Sequence, residues 1–549
     1  MRLKIFKPLK SKSLYLLLII TVSGGFLRFY NLNWDEGHFF HPDERNIALA
    51  VSRIHFFDQL NPKFFAYGSF PIYLYRAIGD FLFLITRDKN WISNWAHINL
   101  IGRSVSALLS TFTILLVFLL SKRIWNEKIG LLSAFLVAFC PSLIQTAHFG
   151  VTESMLVFWL FLVLNFTFEI IEKPLIKNYF KIGTILGLAT ATKISSLSFL
   201  IIPSAAHFLY HFKYLKNHLK FLFSLFLAFV VFSFFSPYVF LDFPKFWESM
   251  IYESGVATGK LRVVYTLQFE KTLPYLFQIK NFFWQMGPIA FLGILGTILI
   301  LIKTIKNGNK KLLVFLSFPI SYFLYVGSWH TKFIRYMLPV LPFLIISSSW
   351  FIDEIGKHFP KAGKILIFLG ATTTFFWAIS FFSIYAKEST RITASRWIYQ
   401  NIPKGEKLLT EHWDDSLPIE IPPFHPNQYK IEQLTIYDSD GVQKINYYSE
   451  KLSQADYIIV NSRRLYGTLI NLPEKYPITS RYYKLLFSGQ LGYSQIAEFS
   501  SYPNLFGLTI NDDKSEETFQ VYDHPKVIIF KNTRHFSSQT LKNILSYDK

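Results

Sequence analysis

The sequence is poor in cysteine. Its one cysteine, Cys140, lies within an apolar run. The chain can therefore form no intrachain disulfide and no cluster of thiolate metal ligands. One cysteine within an apolar run also gives no indication of the redox compartment in which the protein resides.

Acidic residues are scarce relative to basic ones, with 36 Asp and Glu against 56 Lys and Arg and a net charge of +20. In another chain this excess could indicate nucleic acid binding. Here the basic residues cluster in connectors between apolar runs, as the positive-inside rule describes for membrane proteins. We therefore predict no nucleic acid partner. Solenoid-type repeats and low-complexity segments are also not evident in the sequence.

Apolar and aromatic residues dominate what is present. The chain is 51% hydrophobic and 18% aromatic, with 59 Phe among its 549 residues. Repeated apolar runs long enough to cross a bilayer predict a polytopic α-helical membrane protein. About eleven transmembrane helices are predicted, near residues 13–31, 98–121, 129–147, 151–171, 181–193, 195–210, 220–237, 285–302, 312–327, 336–351 and 365–386.

The basic connectors set the predicted orientation. A basic segment at residues 2–12 precedes the first run, which we interpret as a retained signal-anchor with a cytoplasmic N-terminus. The apolar stretch 70–85 is interrupted by Tyr, Arg and Asp, as is typical of a helix that lies along the membrane surface. If this stretch crossed the membrane, the later basic connectors would lie on the outer side, against the positive-inside rule. We therefore place it along the outer interface. Five connectors are predicted to be cytoplasmic: Lys122–Lys128, Glu172–Lys181, His211–Lys220, Lys303–Lys311 and Asp353–Lys364.

Two domains are predicted. Residues 1–386 form a transmembrane catalytic domain with a first outer loop at 32–97, and residues 387–549 form a soluble extracytoplasmic α/β domain. In the second domain, Trp397–Tyr399 is typical of a helix, and residues 457–460 and 527–530 are typical of short strands. The protein is thus expected in the cell membrane.

Acidic residues concentrate in the first outer loop. Asp35, Glu36, Asp43 and Glu44 fall within ten residues, the last two in the sequence His-Pro-Asp-Glu-Arg. Ionisable groups near the hydrocarbon region usually face a water-filled cavity and serve function, although solvated loop charges are the simpler alternative. On the predicted topology Glu153 shares this side, either as a second acid of the site or as a charge complementing a helix N-terminus.

Two cations map to the same outer edge. Lys193 follows Gly-Leu-Ala-Thr-Ala-Thr, and Arg335 lies in Lys-Phe-Ile-Arg-Tyr. Either could be a snorkelling anchor at the membrane surface. Beside two acids, however, an Arg suited to bidentate phosphate contacts and a Lys suited to a point contact form a coherent site for a lipid-linked phosphate.

A family resemblance rests on several motifs taken in order. They are Leu27–Tyr30, Pro42–Arg45, Tyr67–Tyr73 and Gly102–Ala107, followed by His-Phe-Gly-Val-Thr-Glu, Gly-Leu-Ala-x-x-x-Lys and Arg-Tyr-x-Leu-Pro. Over roughly residues 15–350 the chain resembles bacterial glycosyltransferase family 39, which is related to protein O-mannosyltransferases and aminoarabinose transferases. This resemblance implies the GT-C fold, a polyprenyl-phosphate sugar donor and an envelope acceptor that is a protein, a lipid or a glycan.

The resemblance implies roles for the candidate residues. Asp43 matches the family's catalytic acid and would be the general base of an inverting transfer. Lys193 and Arg335 would stabilise the leaving phosphate. Glu44 is grouped with Asp43 as catalytic, and Arg45 is either a weaker phosphate ligand or simply the partner of Glu44.

Other assignments are left open by the sequence. Glu153 stands where relatives often carry Asp, and it could position a substrate or join His41 or His148 near a divalent metal. No cofactor is required by the sequence. Where some relatives carry Glu-Lys-Pro, this chain has Tyr67–Pro71, so a metal or phosphate contact there is expected to be missing.

Two other function classes compete with the transferase. A transporter or lipid flippase would carry acids within its spans and internal repeats, whereas the acids here occupy outer loops. A degenerate transferase whose outer domain serves assembly or binding is the second alternative. An intact Asp43 argues against the latter.

Overall fold

The computed structural model describes residues 11–546, so the basic segment ahead of Ser11 lies outside the described residues. Two compact units are present. The first contains the chain up to Asn33, Gly37–Leu261 and Leu273–Phe382. The second contains Trp34–Glu36, Arg262–Thr272 and the chain from Ser383 onward. The division of the chain at residues 386/387 into two domains with separate functions stays a prediction.

The first unit is helical. Two 3-10 segments, Ile194–Leu200 and Ile334–Val340, and one π-helical turn, His207–His211, continue its α-helices. The α-helices are α1 (Ser11–Phe29), α2 (Pro42–Ser52), α3 (Ser69–Thr86), α4 (Asn90–Ser93), α5 (Trp95–Ile124), α6 (Glu127–Ala138), α7 (Pro141–Ala147), α8 (Glu153–Glu172), α9 (Ile176–Thr192), α10 (Ile201–Ala206), α11 (Leu215–Phe235), α12 (Tyr238–Leu241), α13 (Phe243–Thr258), α14 (Leu276–Met286), α15 (Ile289–Asn307), α16 (Lys310–Val326), α17 (Leu341–His358) and α18 (Pro360–Phe382).

The predicted polytopic membrane fold is confirmed. Within residues 11–546, eight helices are long and apolar enough to cross a membrane, and the bent pair α6–α7 brings the number to nine. The two remaining predicted spans are α9 and α16, helices of 17 residues each. All eleven predicted segments are therefore helical. Helix α3 is not among the helices apolar enough to cross, in agreement with its predicted interfacial position.

Ion pairs join the basic connectors at one end of the helices. Lys128 Nζ lies 3.0 Å from Asp353 Oδ1, and Lys181 Nζ lies 2.9 Å from Glu169 Oε2. Lys128, Asp353 and Lys181 belong to connectors that the charge pattern placed on one side, and Glu169 lies in the last turn of α8, just ahead of one of them. Following the helices in order, the turn 148–152, Lys193 and the segment 327–333 come at the opposite end.

A buried arginine holds the break between α6 and α7. The two helices meet at an angle of 56°, which leaves carbonyls near the break without helical partners. Arg28 is fully buried and donates to Ala138 O at 2.8 Å and to Val137 O at 3.0 Å. Its contacts fix α1 against the break and so position the turn that follows α7.

The second unit is an α/β domain, as predicted. Its sheet has the order β2-β1-β3-β7-β4, in which β1 pairs in parallel with β2 and β3, while β7 pairs antiparallel with β3 and β4. The predicted helix and both predicted strands are present. The elements are α19 (Thr390–Asn401), β1 (Lys407–Glu411), β2 (Lys430–Leu434), α20 (Val442–Gln454), β3 (Tyr457–Val460), α21 (Arg463–Leu469), α22 (Pro477–Phe487), β4 (Tyr493–Phe499), β5 (Asn504–Leu505), β6 (Leu508–Thr509), β7 (Val527–Asn532) and α23 (Ser538–Leu545).

Candidate active site

The His-Pro-Asp-Glu sequence begins helix α2. His41 is the N-cap residue in an extended conformation, and its Nδ1 accepts the Asp43 N–H at 3.2 Å. Pro42 suits the first helical position because its fixed φ matches the helix and its missing N–H needs no partner there. Asp43 and Glu44 then occupy the first turn, where negative charge complements the helix dipole.

Glu44 is held inside the protein. Its side chain is fully buried and accepts from Arg103 Nε at 2.8 Å, from Arg103 Nη2 at 2.7 Å and from the Gly150 N–H at 2.6 Å. One carboxylate thereby ties α2 to α5 and to the turn after α7. Arg45 does not pair with Glu44, which corrects one of our alternatives: its Nε donates to Phe39 O at 2.6 Å.

Asp43 is the acid that faces outward. Its Oδ2 lies 2.6 Å from Arg335 Nη1 and accepts the Tyr67 hydroxyl at 3.0 Å. The side chains of Asp43 and Arg335 are each 21% exposed, so this pair is reachable by a ligand, whereas the Arg103–Glu44 pair is not. The structure thus brings Asp43 and Arg335, two candidates from the sequence, into direct contact.

The surroundings of Asp43 favour its ionised form. Burial alone would raise the pKa of its carboxyl, but the charge of Arg335, followed by His41, the Tyr67 hydrogen bond and Lys193, lowers the pKa to about 2. Burial and the Asp43 charge raise the pKa of Tyr67 well above its usual 10, so its hydroxyl remains a donor. Burial lowers the pKa of His41, and the charges of Asp43 and Glu44 oppose this effect.

Lys193 and Glu153 form the second pair of the site. Lys193 Nζ lies 3.4 Å from Glu153 Oε1 and 4.8 Å from the centre of the Tyr67 ring. Tyr67 therefore contacts Asp43 through its hydroxyl and Lys193 through its ring face. Glu153 is buried and is the first residue of α8, so it also carries the N-terminal helix charge that we considered as an alternative.

Gly68 explains how Tyr67 comes so close to Lys193. Its N–H donates to Thr192 O at 3.0 Å, and a Cβ at this position would lie 2.0 Å from Ala191 O. Only glycine allows the backbone ahead of α3 to touch the end of α9. The family resemblance drew attention to the Tyr67–Pro71 segment, but the role of Tyr67 required the fold.

Glu253 is a functional candidate that our reading of the sequence did not identify. It lies on α13, one turn before Val256 and Ala257, whose carbonyls accept from Thr331 at 2.7 and 3.1 Å. Its carboxylate is exposed and interacts electrostatically with Lys193, Arg335 and Asp43. Desolvation raises the pKa of Glu253. The charges of Lys193 and Arg335 act in the opposite direction, and the charge of Asp43 raises the pKa further. No motif in the sequence marked this position.

The histidines do not form a metal site. Within residues 11–546, no group of three or more His, Cys, Asp and Glu is arranged to hold a metal ion. His148 Nδ1 lies 2.8 Å from Ile144 O and its Nε2 lies 2.9 Å from Tyr30 O, so both ring nitrogens contact backbone carbonyls. His41 Nδ1 accepts the Asp43 N–H. These residues do not fit a divalent metal, and we derive no step through one.

Comparisons with known proteins agree with this architecture. Residues 98–239 match the sequence profile of a family described as dolichyl-phosphate-mannose-protein mannosyltransferase. Among curated proteins, no sequence matches the chain.

Solved structures of membrane transferases are similar to the chain. The Archaeoglobus fulgidus oligosaccharyltransferase tethered to an acceptor peptide has a TM-score of 0.51 at 14% identity, covering 95% of this chain and 89% of that one. AglB of the same organism with an inhibitory peptide and a dolichol-phosphate has a TM-score of 0.51 at 13% identity, covering 95% and 88%. ArnT from Cupriavidus metallidurans bound to undecaprenyl phosphate has a TM-score of 0.48 at 12% identity, covering 95% and 98%.

The fold and the profile match point to the same class of protein. The archaeal structures are similar in fold over 95% of the chain, and the profile match lies inside its helical unit. The profile match favours a transferase over a transporter, in agreement with the resemblance predicted from the sequence motifs. The chain is a polytopic α-helical membrane protein that shares the fold of the archaeal oligosaccharyltransferase, and residues 98–239 are similar to the dolichyl-phosphate-mannose-protein mannosyltransferase family.

Proposed function

We propose that this protein transfers a sugar from a polyprenyl-phosphate donor to a hydroxyl group of an envelope acceptor, with inversion at the anomeric carbon and with Asp43 as the general base. The donor class is supported by the matching family's description and by the dolichol-phosphate in the AglB complex. The acceptor is a protein, a lipid or a glycan of the cell envelope.

One observation carries the proposal. A partly exposed carboxylate, Asp43, contacts a partly exposed guanidinium, Arg335, at 2.6 Å, and Tyr67 links Asp43 to Lys193. A base beside two cations supplies what glycosyl transfer from a phosphate requires. The base removes a proton from the attacking hydroxyl, and the cations stabilise the charge that develops on the leaving group.

The transfer proceeds as a direct displacement. The acceptor oxygen forms a bond to the anomeric carbon while Asp43 accepts the hydroxyl proton. The bond from that carbon to the phosphate oxygen breaks, and its electron pair leaves with the polyprenyl phosphate. Because phosphate is a stable anion, no general acid is needed, and Arg335 with Lys193 meets the new negative charge.

Arg335 couples donor binding to the strength of the base. Without a donor, its charge is the largest factor that lowers the pKa of Asp43. A donor phosphate binding the same guanidinium neutralises part of this charge. The pKa of Asp43 then rises from about 2 towards its ordinary value, and the carboxylate becomes a better proton acceptor when the donor is in place.

Glu253 is assigned to substrate positioning. Its exposed carboxylate stands close enough to Lys193, Arg335 and Asp43 to interact with all three, yet it lies on a different helix from each. A carboxylate in this place can accept hydrogen bonds from hydroxyls of the sugar or the acceptor.

The reaction is placed on the extracytoplasmic face of the cell membrane. The five basic connectors fall at the end of the helices opposite to Lys193 and the segment before Arg335, and basic connectors are retained in the cytoplasm. The same count supports an extracytoplasmic position for the second unit. To check this orientation, the exposed Asp58 is replaced by cysteine, and intact cells are treated with a thiol reagent that does not cross the membrane. Reaction at this position is the expected result.

The function is tested by transfer assays with the full chain in nanodiscs. Labelled polyprenyl-monophosphate sugars are supplied as a panel together with an extract of envelope acceptors. We expect transfer with at least one donor, loss of transfer in Asp43→Asn and normal transfer in Asp58→Asn, an exposed acid of the same outer loop. NMR of the product is expected to show the inverted anomer. Donor binding without transfer in every combination would contradict the proposal and favour the degenerate alternative.

A further inference from the structure

A short hairpin in the second unit exposes large apolar side chains. Strands β5 and β6 pair antiparallel, with Leu505 opposite Leu508. At its tip, Phe506 is 91% exposed and Leu508 is 77% exposed. Residues 500–511 contain no charged side chain. This combination of exposed apolar side chains and no charge is typical of a surface that contacts a partner or a membrane.

The hairpin is held in a strained but ordered conformation. Phe506 has φ of 51° and Gly507 has φ of 86°, as in a two-residue type I′ turn. Asn or Asp is favoured at the first of these positions, and a bulky residue with positive φ is a genuine outlier. Asn504 stabilises the turn, since its Nδ2 donates to Thr509 Oγ1 at 2.8 Å. The turn therefore gains nothing from a phenylalanine at this position, and the strained backbone presents a large apolar side chain at the tip.

The base of the hairpin is tied to the point where the chain leaves the membrane. Helix α18 has 23 residues, which corresponds to about 35 Å and spans the hydrocarbon core. Ser383 follows its last residue directly, and Ser383 Oγ accepts the Asn504 N–H at 3.0 Å. Two residues of extended chain cover about 7 Å, so Phe506 lies within about 10 Å of this exit point.

We infer that the hairpin Asn504–Thr509 inserts Phe506 and Leu508 into the headgroup–acyl boundary of the bilayer. The occupant of this surface is lipid because the hairpin is hydrogen-bonded to the residue that directly follows a membrane-spanning helix, and because aromatic and apolar side chains partition favourably into the boundary layer of a bilayer. The contact anchors the second unit at the membrane surface independently of its acceptor or donor.

Site-specific fluorescence in nanodiscs tests this contact. In a Cys140→Ser background, the environment-sensitive dye NBD is attached to Phe506→Cys, to Leu508→Cys or to Val442→Cys. Val442 is the matched control, because it is 68% exposed in the same unit at the start of α20. We expect blue-shifted emission and strong quenching by spin-labelled phosphatidylcholine at 506 and 508, with water-like emission and little quenching at 442.

Three outcomes would overturn the inference. Water-like emission at both hairpin positions would show that the tip is in solvent. Blue-shifted emission without lipid quenching would show that protein covers it. Equal lipid quenching at 506, 508 and 442 would show that the hairpin is no closer to lipid than another exposed position of the same unit. Because all three positions are exposed, the labelled variants are expected to keep the thermal unfolding midpoint of the unlabelled protein, which serves as the folding control.

Discussion

At the scale of single residues, the charge of Arg335 controls the pKa of the Asp43 carboxyl. Two effects oppose each other at this carboxyl: burial raises its pKa, and Arg335 leads the groups that lower it to about 2. The lowered pKa means that Asp43 stays ionised throughout the range in which the enzyme can be assayed. Removing the guanidinium charge leaves burial less opposed, so the pKa of Asp43 then moves upward.

We therefore expect replacement of Arg335 to change the pH dependence of kcat/KM for transfer. In the wild type, kcat/KM is expected to show no acid limb from Asp43 above about pH 4, because a base with a low pKa remains deprotonated there. Arg335→Gln is expected to lose transition-state stabilisation, on the order of 100-fold in rate, and to gain an acid limb above pH 4. Arg335→Lys keeps the charge and should keep the flat profile. Identical profiles for the Gln and Lys variants would contradict this account.

Glu253 gives a second prediction at the scale of one residue. If it positions the sugar or the acceptor, Glu253→Gln should raise KM or lower kcat by about 10-fold, since a hydrogen bond to a charged group is worth roughly 1.5–3 kcal/mol. Glu248→Gln is the matched control, because Glu248 is an exposed acid on the same helix. Steady-state transfer kinetics distinguish them, and equal kinetics for the two variants would remove Glu253 from the site.

At the scale of elements, the buried Glu44–Arg103 pair holds α2 in place. Both side chains are at most 1% exposed, and the Gly150 N–H adds a third bond to the same carboxylate. This pair joins the first outer loop to α5 and to the turn that leads into Glu153. Its role is thus to fix the relative positions of Asp43 and Glu153, which lie on separate elements.

Breaking this pair predicts a large loss of stability. Glu44→Gln leaves Arg103 as a buried charge without its carboxylate, which costs about 3–5 kcal/mol. Asp80→Asn is the control, because the Asp80–Arg76 pair is partly exposed and such pairs contribute about 1 kcal/mol or less. Thermal unfolding in detergent measures both. A Glu44→Gln midpoint as high as that of Asp80→Asn would show that the buried pair does not hold the loop.

In the second unit, a buried histidine joins two segments between β6 and β7. His524 Nε2 lies 2.8 Å from Asp512 Oδ2, and its Nδ1 lies 2.6 Å from Asp523 Oδ1. Burial would lower the pKa of His524, but the two carboxylates outweigh it and raise the pKa to about 10. The charged imidazolium therefore stabilises the folded unit at neutral pH.

This histidine predicts a pH-dependent contribution to stability. Because its folded pKa of about 10 exceeds the ordinary 6.5, the contribution is complete below pH 6.5 and is lost as the pH rises towards 10. The unfolding midpoint of the wild type should exceed that of His524→Gln most at pH 6, and the difference should shrink by pH 9.5. Thermal unfolding of both proteins across this range checks it. A difference that grows with pH would contradict the assignment.

At the scale of the whole molecule, patterns that extend over many residues were sufficient to predict the architecture. Apolar runs located the eleven predicted spans, each of which is helical, and the basic connectors predicted an interfacial position for α3, which is not among the helices apolar enough to cross. The same parity brought Asp43, Glu153, Lys193 and Arg335 to one end of the helices, where two ion pairs now join them. Apolar runs and an uneven distribution of basic residues can be recognised in a sequence because they depend on the bilayer and not on contacts between particular side chains.

Individual side-chain partners could not be read in the same way. The sequence offered Arg45 as one possible partner of Glu44, but the fold supplies Arg103, 59 positions away, as the partner of Glu44. Tyr67 and Glu253 acquire their roles only when separate loops converge. These pairings depend on tertiary distances, and no periodic pattern in the chain encodes them.

The central claim is that Asp43 is the base and that Arg335 is shared between Asp43 and the donor phosphate. The most direct measurement compares single-turnover transfer and donor affinity in wild type and Asp43→Asn. We expect the transfer rate to fall by about 1,000-fold or more, while the polyprenyl-phosphate sugar binds at least as tightly, because the variant frees Arg335 from its carboxylate partner. Transfer at the wild-type rate in Asp43→Asn, or a parallel loss of donor affinity in a folded protein, would contradict the account.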